Sequence, residues 1–159
     1  MTSPLTIAVC FPRPLFTACD EHEDAITLLH HARAAGHDAE ALTLPTLNAG
    51  REFSHDDALT WALIDLVAGG QRAIDAVVCL HPTTMVLRHP VKIAWMRSPW
   101  DVSMSTVLGM VNRVVVTDAR QSDGTDAPGP PNGSEVVRAD SVADVLDVVC
   151  ACSRSGVGG

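Results

Sequence analysis

Apolar residues fall along this chain in two rhythms: short unbroken runs, and longer stretches that repeat every three to four positions. The first run, Leu5-Thr6-Ile7-Ala8-Val9-Cys10-Phe11, is continuous rather than alternating, which suits a parallel strand covered on both faces. Pro12 and Pro14 mark its expected end. Asp20 and Glu23 have the spacing of a capping box, and Ala25, Leu28, Leu29, Ala32 and Ala35 then recur at helical spacing until Gly36. This predicts a helix of about four turns with a glycine stop. His37 to Leu44 returns to extended character, so residues 5–44 read as a strand, helix and strand joined by a right-handed crossover.

The pattern continues in the same order. Pro45 to Phe53 reads as a loop. Ser54 and Asp57 can cap a second helix carrying Leu59, Ala62, Leu63 and Leu66 along one face, closed by Gly69-Gly70. Ile74 to Leu80 and Val91 to Met96 are short, branched-apolar strands, bracketing a connection that holds Pro82 and Pro90. Ser98-Pro99 with Asp101 predicts a helix start, because serine caps, proline suits the first helical position and aspartate meets the helix dipole. That helix is expected to run to Met110, followed by a fifth strand from Arg113 to Thr117. Glu135 to Arg138 has the look of a short edge strand, and Ser141 with Asp144 caps a final helix bearing Val142, Val145, Leu146 and Val149.

Strands and helices in this alternation define an α/β class: a Rossmann-like, doubly wound, mostly parallel sheet of about five to six strands in a single domain. The main body spans residues 1–118, residues 119–134 form a linker rich in Asp, Gly, Pro, Ser and Asn, residues 135–152 return to the same domain, and residues 153–159 are expected to fray.

Composition narrows the picture further. A chain of 159 residues with 47% hydrophobic content suits one core. Eleven Lys and Arg against nineteen Asp and Glu give a net charge of -8, with no basic stripe for a phosphate backbone, so nucleic acid is excluded as the expected partner. No segment is long and apolar enough to span a bilayer, and the opening Met1-Thr2-Ser3-Pro4 lacks the basic start of a signal peptide. Five cysteines without a disulfide framework point to a reducing, cytoplasmic location.

In doubly wound sheets, ligands bind beyond the carboxyl ends of the strands where strand order reverses. With the reversal placed between the first and fourth strands, the crevice would be lined by Phe11 to Asp20 and Arg97 to Asp101. Arg13, Arg97 and the helix start at Ser98 and Asp101 are then the ligand-binding candidates, the arginines for an anionic group. The alternative is that both arginines are solvated loop residues. Asp20 and His22 are candidates for acid or base work, with helix capping the competing role for Asp20. His81, just after the third strand, is the other catalytic candidate, because strand ends are where α/β folds place reactive groups. His89 before Pro90 fits either such a role or a rigid turn.

Several chemistries lack motif support. The first loop carries neither the Gly spacing of a dinucleotide site nor that of a P-loop, so no nucleotide cofactor is expected. Of the seven histidines, His22, His30, His31 and His37 sit on or beside one helix without paired ligands at zinc spacing, so they read as solvent-facing and no metal is expected. Cys150-Ala151-Cys152 has the wrong spacing for a redox pair, and no nucleophile elbow is present.

The stretches Ile7-Ala8-Val9, Gly36-His37-Asp38, Leu42-Thr43-Leu44-Pro45, Ile74-Asp75-Ala76-Val77-Val78 and above all His89-Pro90-Val91-Lys92-Ile93-Ala94-Trp95 resemble the N-terminal domain of GT-B-fold, family-four-like glycosyltransferases of the retaining type. The likeness covers residues 5–118. It implies an acceptor-side domain, in a family where a second Rossmann-like domain grips the nucleotide sugar and supplies paired glutamates. Two places depart from the family. Phe16-Thr17-Ala18-Cys19 stands where a glycine-rich turn is usual, and Met96-Arg97-Ser98-Pro99-Trp100 where a histidine often follows the fourth strand.

The 159 residues leave no room for the donor lobe, so the resemblance implies a subunit that completes a split glycosyltransferase with a donor-binding partner chain. The split eukaryotic enzyme that extends lipid-linked chitobiose has that organisation. The subunit reading predicts an apolar patch at the crevice edge and sugar transfer only when both proteins are mixed. The alternative is a non-catalytic, regulatory or small-ligand-binding relative whose crevice takes a sugar-acceptor-like molecule.

Overall fold

The computed structural model describes residues 3–47, 53–64, 66, 73–96, 107, 110–116 and 135–155. Six strands, β1 (Thr6–Pro14), β2 (Asp38–Thr46), β3 (Ala76–Cys79), β4 (Lys92–Met96), β5 (Arg113–Val116) and β6 (Glu135–Arg138), form one sheet. Their order is β2-β1-β3-β4-β5-β6, and every neighbouring pair is parallel. Helices α1 (Asp20–Ala34), α2 (His55–Ala62) and α3 (Val142–Ser155), with a 3-10 turn over Pro82–Val86, complete a Rossmann-like α/β domain. No helix among the described residues is long and apolar enough to cross a membrane.

Alternation along the strands sends side chains to two cores. Ile7, Val9 and Phe11 of β1 join Val78, Ile93 and Val115 in a cluster closed by Leu28 of α1 and Val145 and Val149 of α3. Ala8 and Cys10 join Val77, Cys79, Ala94 and Val114 on the other face, under Trp61 of α2 and Met85 and Leu87 of the β3–β4 connection. The continuous apolar strands are thus buried on both sides, as parallel sheets require.

Pro12 does not end β1, which runs on to its last residue, Pro14, in register with Thr46. Even-numbered residues of β1 direct their backbone polar groups toward β3: the carbonyls of Thr6 and Cys10 accept from the amides of Asp75 and Leu80. Odd-numbered residues face β2, as Leu5 does through its carbonyl and Leu15 through its amide. Pro12 and Pro14 therefore turn their missing N–H toward the β3 side, beyond Cys79 where β3 has stopped. A proline costs a strand nothing where no ladder partner exists. The β1–β2 pair consequently projects past the rest of the sheet.

Helix ends follow the sequence in some places and not in others. Gly36 adopts a φ of +87°, and the amides of Gly36 and His37 bond back to Arg33 and Ala32 at 3.0 Å each, the pattern of a Schellman stop. At the start of α1, Cys19 is the capping position without a side-chain cap bond, and Asp20 is already helical. The expected capping box is not formed; Asp20, Glu21 and Glu23 place negative charge in the first turn instead. Ser54 does cap α2, accepting from the amide of Asp57 at 3.3 Å. The buried side of α2 is Ala58 and Trp61, whereas Leu59 and Leu63 are 66% and 86% exposed. Trp61 fills the space over Cys10 and Cys79 that the leucines were expected to cover. The final helix carries the reciprocal box as expected, the Ser141 amide donating to Asp144 at 2.9 Å and the Asp144 amide to Ser141 at 3.2 Å. It continues through Ser153, Arg154 and Ser155 rather than fraying at 153, because Cys152 and Ser153 are buried. The 119–134 linker lies outside the described residues.

Candidate functional site

Strand order fixes where a ligand crevice can open. From β1 the chain moves to one side, to β2, and then crosses back so that β3 to β6 build outward on the other. The reversal lies between β1 and β3, not between the first and fourth strands, because β3 is the direct neighbour of β1. The crevice is thus bounded by Leu15 to Cys19 after β1 and by Leu80 onward after β3. Arg97, Ser98 and Asp101 follow β4, one strand further out, and lie outside the described residues.

The sequence candidates do not converge on one point. Arg13 is exposed and shares the α1 face of β1 with Phe11. The ring of His22, in the first turn of α1, lies 5.8 Å from that of Phe11. Arg13 and His22 therefore flank the mouth of the crevice on one face of the sheet. The acidic first turn beside them, Asp20, Glu21 and Glu23, opposes binding of an anion at that helix start. The same charges act on Cys19, whose pKa is raised by burial first and then by Glu21 and Asp20, so the thiol at this helix start is not an activated nucleophile.

His81 points to the other face. It caps the 3-10 turn and is 4% exposed. Its Nδ1 accepts from the amide of Thr83 at 3.2 Å and lies 2.8 Å from the Thr83 hydroxyl. With Nδ1 serving as acceptor, the ring proton of a neutral His81 is on Nε2. His81 is a hydrogen-bond donor in this arrangement, not the general base that its position alone suggested. The carbonyl of His81 accepts from the Thr84 hydroxyl at 2.7 Å and the Thr84 amide at 3.0 Å, so the turn is closed on itself.

The His-Pro-x-Lys-x-x-Trp stretch is architectural here. The His89 Nδ1 accepts from the Val91 amide at 3.1 Å, and its Nε2 lies 3.0 Å from the Ile74 carbonyl, joining the entries of β3 and β4. Lys92 is 5% exposed, and its ammonium donates to the carbonyls of Met85 and Leu87, the latter at 2.7 Å. Burial pulls the Lys92 pKa below its ordinary value, partly offset by the Cys79 thiol. Cys79 itself, wholly enclosed, is pushed up to about 11 by burial, against a hydrogen bond to Thr84 and the charge of Lys92. Trp95 packs in the α1 and α3 core. Lys92 is the residue that motif and periodicity reasoning left without a role; the signal was a charged residue inside an apolar run that a parallel sheet buries on both faces.

Two further features border the crevice end of the sheet. Leu15, Phe16 and Leu47, just past the ends of β1 and β2, are 54%, 86% and 77% exposed, and the Leu15 amide bonds to the Thr46 carbonyl at 3.1 Å. Below them a pocket with room for a water-sized guest, about 30 Å³, lies between the β1–β2 projection and α2. It is lined by Pro12, Leu44, Asp57 and Trp61 among others, and the Thr46 hydroxyl donates to Asp57 at 2.7 Å across its wall.

Histidines elsewhere divide between solvent and structure. His30 and His31 are exposed with rings 6.0 Å apart. His37 is half-buried, accepting from the Leu5 amide at 3.1 Å through Nδ1 and lying 3.4 Å from the Cys150 sulfur through Nε2. Among the described residues, no group of three or more His, Cys, Asp or Glu is placed to hold a metal ion. All five cysteines are unpaired thiols. No family profile, curated protein or solved structure matches the chain.

Proposed function

We propose that this domain is the acceptor-side lobe of a glycosyltransferase of GT-B type, taking a sugar-acceptor small molecule at the β1–β3 crevice and working with a donor-binding lobe outside these 159 residues. The observation that carries the reading is the apolar rim. Leu15, Phe16 and Leu47 stand exposed at the carboxyl ends of β1 and β2, the side on which a second lobe would close over a bound acceptor and exclude water. Isolated exposed leucines need no explanation, but three large apolar side chains on two adjoining loops beside the switch point favour a partner surface. The resemblance of residues 5–118 to the family's N-terminal domain supports a donor-binding lobe as that partner.

A non-catalytic, regulatory or small-ligand-binding role is the second reading. It is favoured by the burial of His81, whose Nδ1 is occupied within its own turn, which takes the histidine after β3 out of the role of a base.

Reconstitution separates the two. The chain is mixed with a candidate donor-lobe polypeptide, a nucleotide sugar and an acceptor panel, and transfer is followed with and without Phe16→Ser and Leu47→Ser. The transferase reading expects product only in the mixture and a loss of complex formation in the variants. Acceptor binding without turnover under any pairing would leave the binder reading standing alone.

A further inference from the structure

Lys92 sits where a lysine is rarely tolerated, at the head of β4 with Val91, Ile93, Ala94 and Trp95 all buried around it. Its two carbonyl partners, Met85 and Leu87, lie at the trailing end of the 3-10 turn that His81 begins. Carbonyls at such an end have no amide donor further along the turn, and the ammonium fills that place. Toward the leading end, the Leu87 amide bonds to the Thr84 carbonyl at 3.2 Å, and Thr84 and Thr83 bond to His81 through its carbonyl and its Nδ1. Lysine and crevice histidine are thus the two ends of one closed unit.

The backbone of Lys92 is fixed independently of its side chain. Its amide donates to the Asn112 side chain at 2.6 Å, and its carbonyl accepts from the Asn112 amide at 2.8 Å. Changing the side chain therefore tests the turn rather than the strand. We infer that Lys92 is the positioning residue for His81, its ammonium anchoring the turn so that the imidazole stays at the end of β3 with its proton on Nε2. The inference rests on the crevice being the binding site, but its test needs no sugar transfer, so the two fail separately.

The measurement is the ¹⁵N spectrum of the His81 ring in the full chain. The unsubstituted protein should show one tautomer, an unprotonated Nδ1 and a protonated Nε2. Lys92→Met, similar in length but without a donor, should collapse that pattern toward the averaged signal of a mobile imidazole, while the amide signals of Val114 and Val115 in β5 stay in place. A folded Lys92→Met protein that keeps the single-tautomer pattern overturns the inference. Native-state amide exchange of the unsubstituted chain decides the matter should that variant not fold. Thr83 and Leu87, at opposite ends of the turn, should exchange through one shared opening, and distinctly faster exchange at Thr83 would mean that the lysine end does not hold the histidine end.

Discussion

Lys92→Met also makes a stability prediction whose size and pH dependence follow from the structure. The substitution strips a donor from the buried carbonyls of Met85 and Leu87. An orphaned buried acceptor costs about 1–3 kcal/mol, so the gross loss is about 2–6 kcal/mol. Against this stands the desolvation of the Lys92 ammonium, on a residue that is buried as a whole, which is worth several kcal/mol. Carbonyl partners repay it incompletely, since burial holds the Lys92 pKa below its ordinary value. A net destabilisation of about 1–3 kcal/mol at neutral pH is expected. The sign of the pH dependence is distinctive. Between the lowered folded pKa and the unfolded value of about 10.4, the unfolded chain holds a proton that the folded one has shed. Folded stability attributable to Lys92 therefore rises with pH across that window, and the gap between the unsubstituted protein and Lys92→Met widens. The raised thiol of Cys10 acts in the opposite direction in both proteins, whereas Cys79, which the Lys92 charge lowers, is held higher still in the variant and widens the gap further. Urea unfolding at a series of pH values from neutral to alkaline measures the gap. A variant as stable as the parent, or a gap that narrows as pH rises, would refute the reasoning.

Other consequences are simpler. Gly36→Ala should cost about 1–2 kcal/mol, because a Cβ there meets nothing within 4 Å and only the left-handed φ is penalised; an unchanged melting temperature would contradict it. Trp61→Ala should cost about 3–5 kcal/mol, while Leu63→Ser should stay within about 0.5 kcal/mol, and the reverse ranking in urea unfolding would place the wrong face of α2 inward. Native-state labelling with a thiol reagent should reach Cys19 before Cys10 and Cys79, since the latter two are 0% exposed and their thiols are held protonated by burial. Labelling of Cys79 faster than global unfolding would be inconsistent with the core as described.

Much of the fold is visible in the apolar rhythm, because continuous runs and helical spacing report burial directly. The continuous run from Leu5 gives a doubly covered strand, Gly36 gives the helix stop, and Ser141 with Asp144 gives the last helix start. What the rhythm misses depends on neighbours. Pro12 looks like a terminator until the stopping point of β3 shows that its nitrogen faces no partner. The inward side of α2 is set by how well one tryptophan fills the gap over Cys10 and Cys79, which leucine spacing does not encode. The crevice opens beside β3 rather than beside the fourth strand because strand order is a property of the whole sheet, and the same letters fit a reversal at either neighbour. The place of His81 is legible in the sequence, but its tautomer follows from Thr83, and the role of Lys92 from two carbonyls that no motif names.

We propose that this domain meets its ligand at the β1–β3 switch point. Amide shift mapping of the ¹⁵N-labelled chain against free hexoses, sugar phosphates and lipid-linked sugars tests it most directly. An acceptor that binds is expected to perturb Leu15 to Cys19 together with His81, Thr83 and Thr84, and to leave β6 and α3 unmoved. Saturable shifts confined to α1, α3 or the β6 edge, with the two crevice loops unchanged, would contradict it.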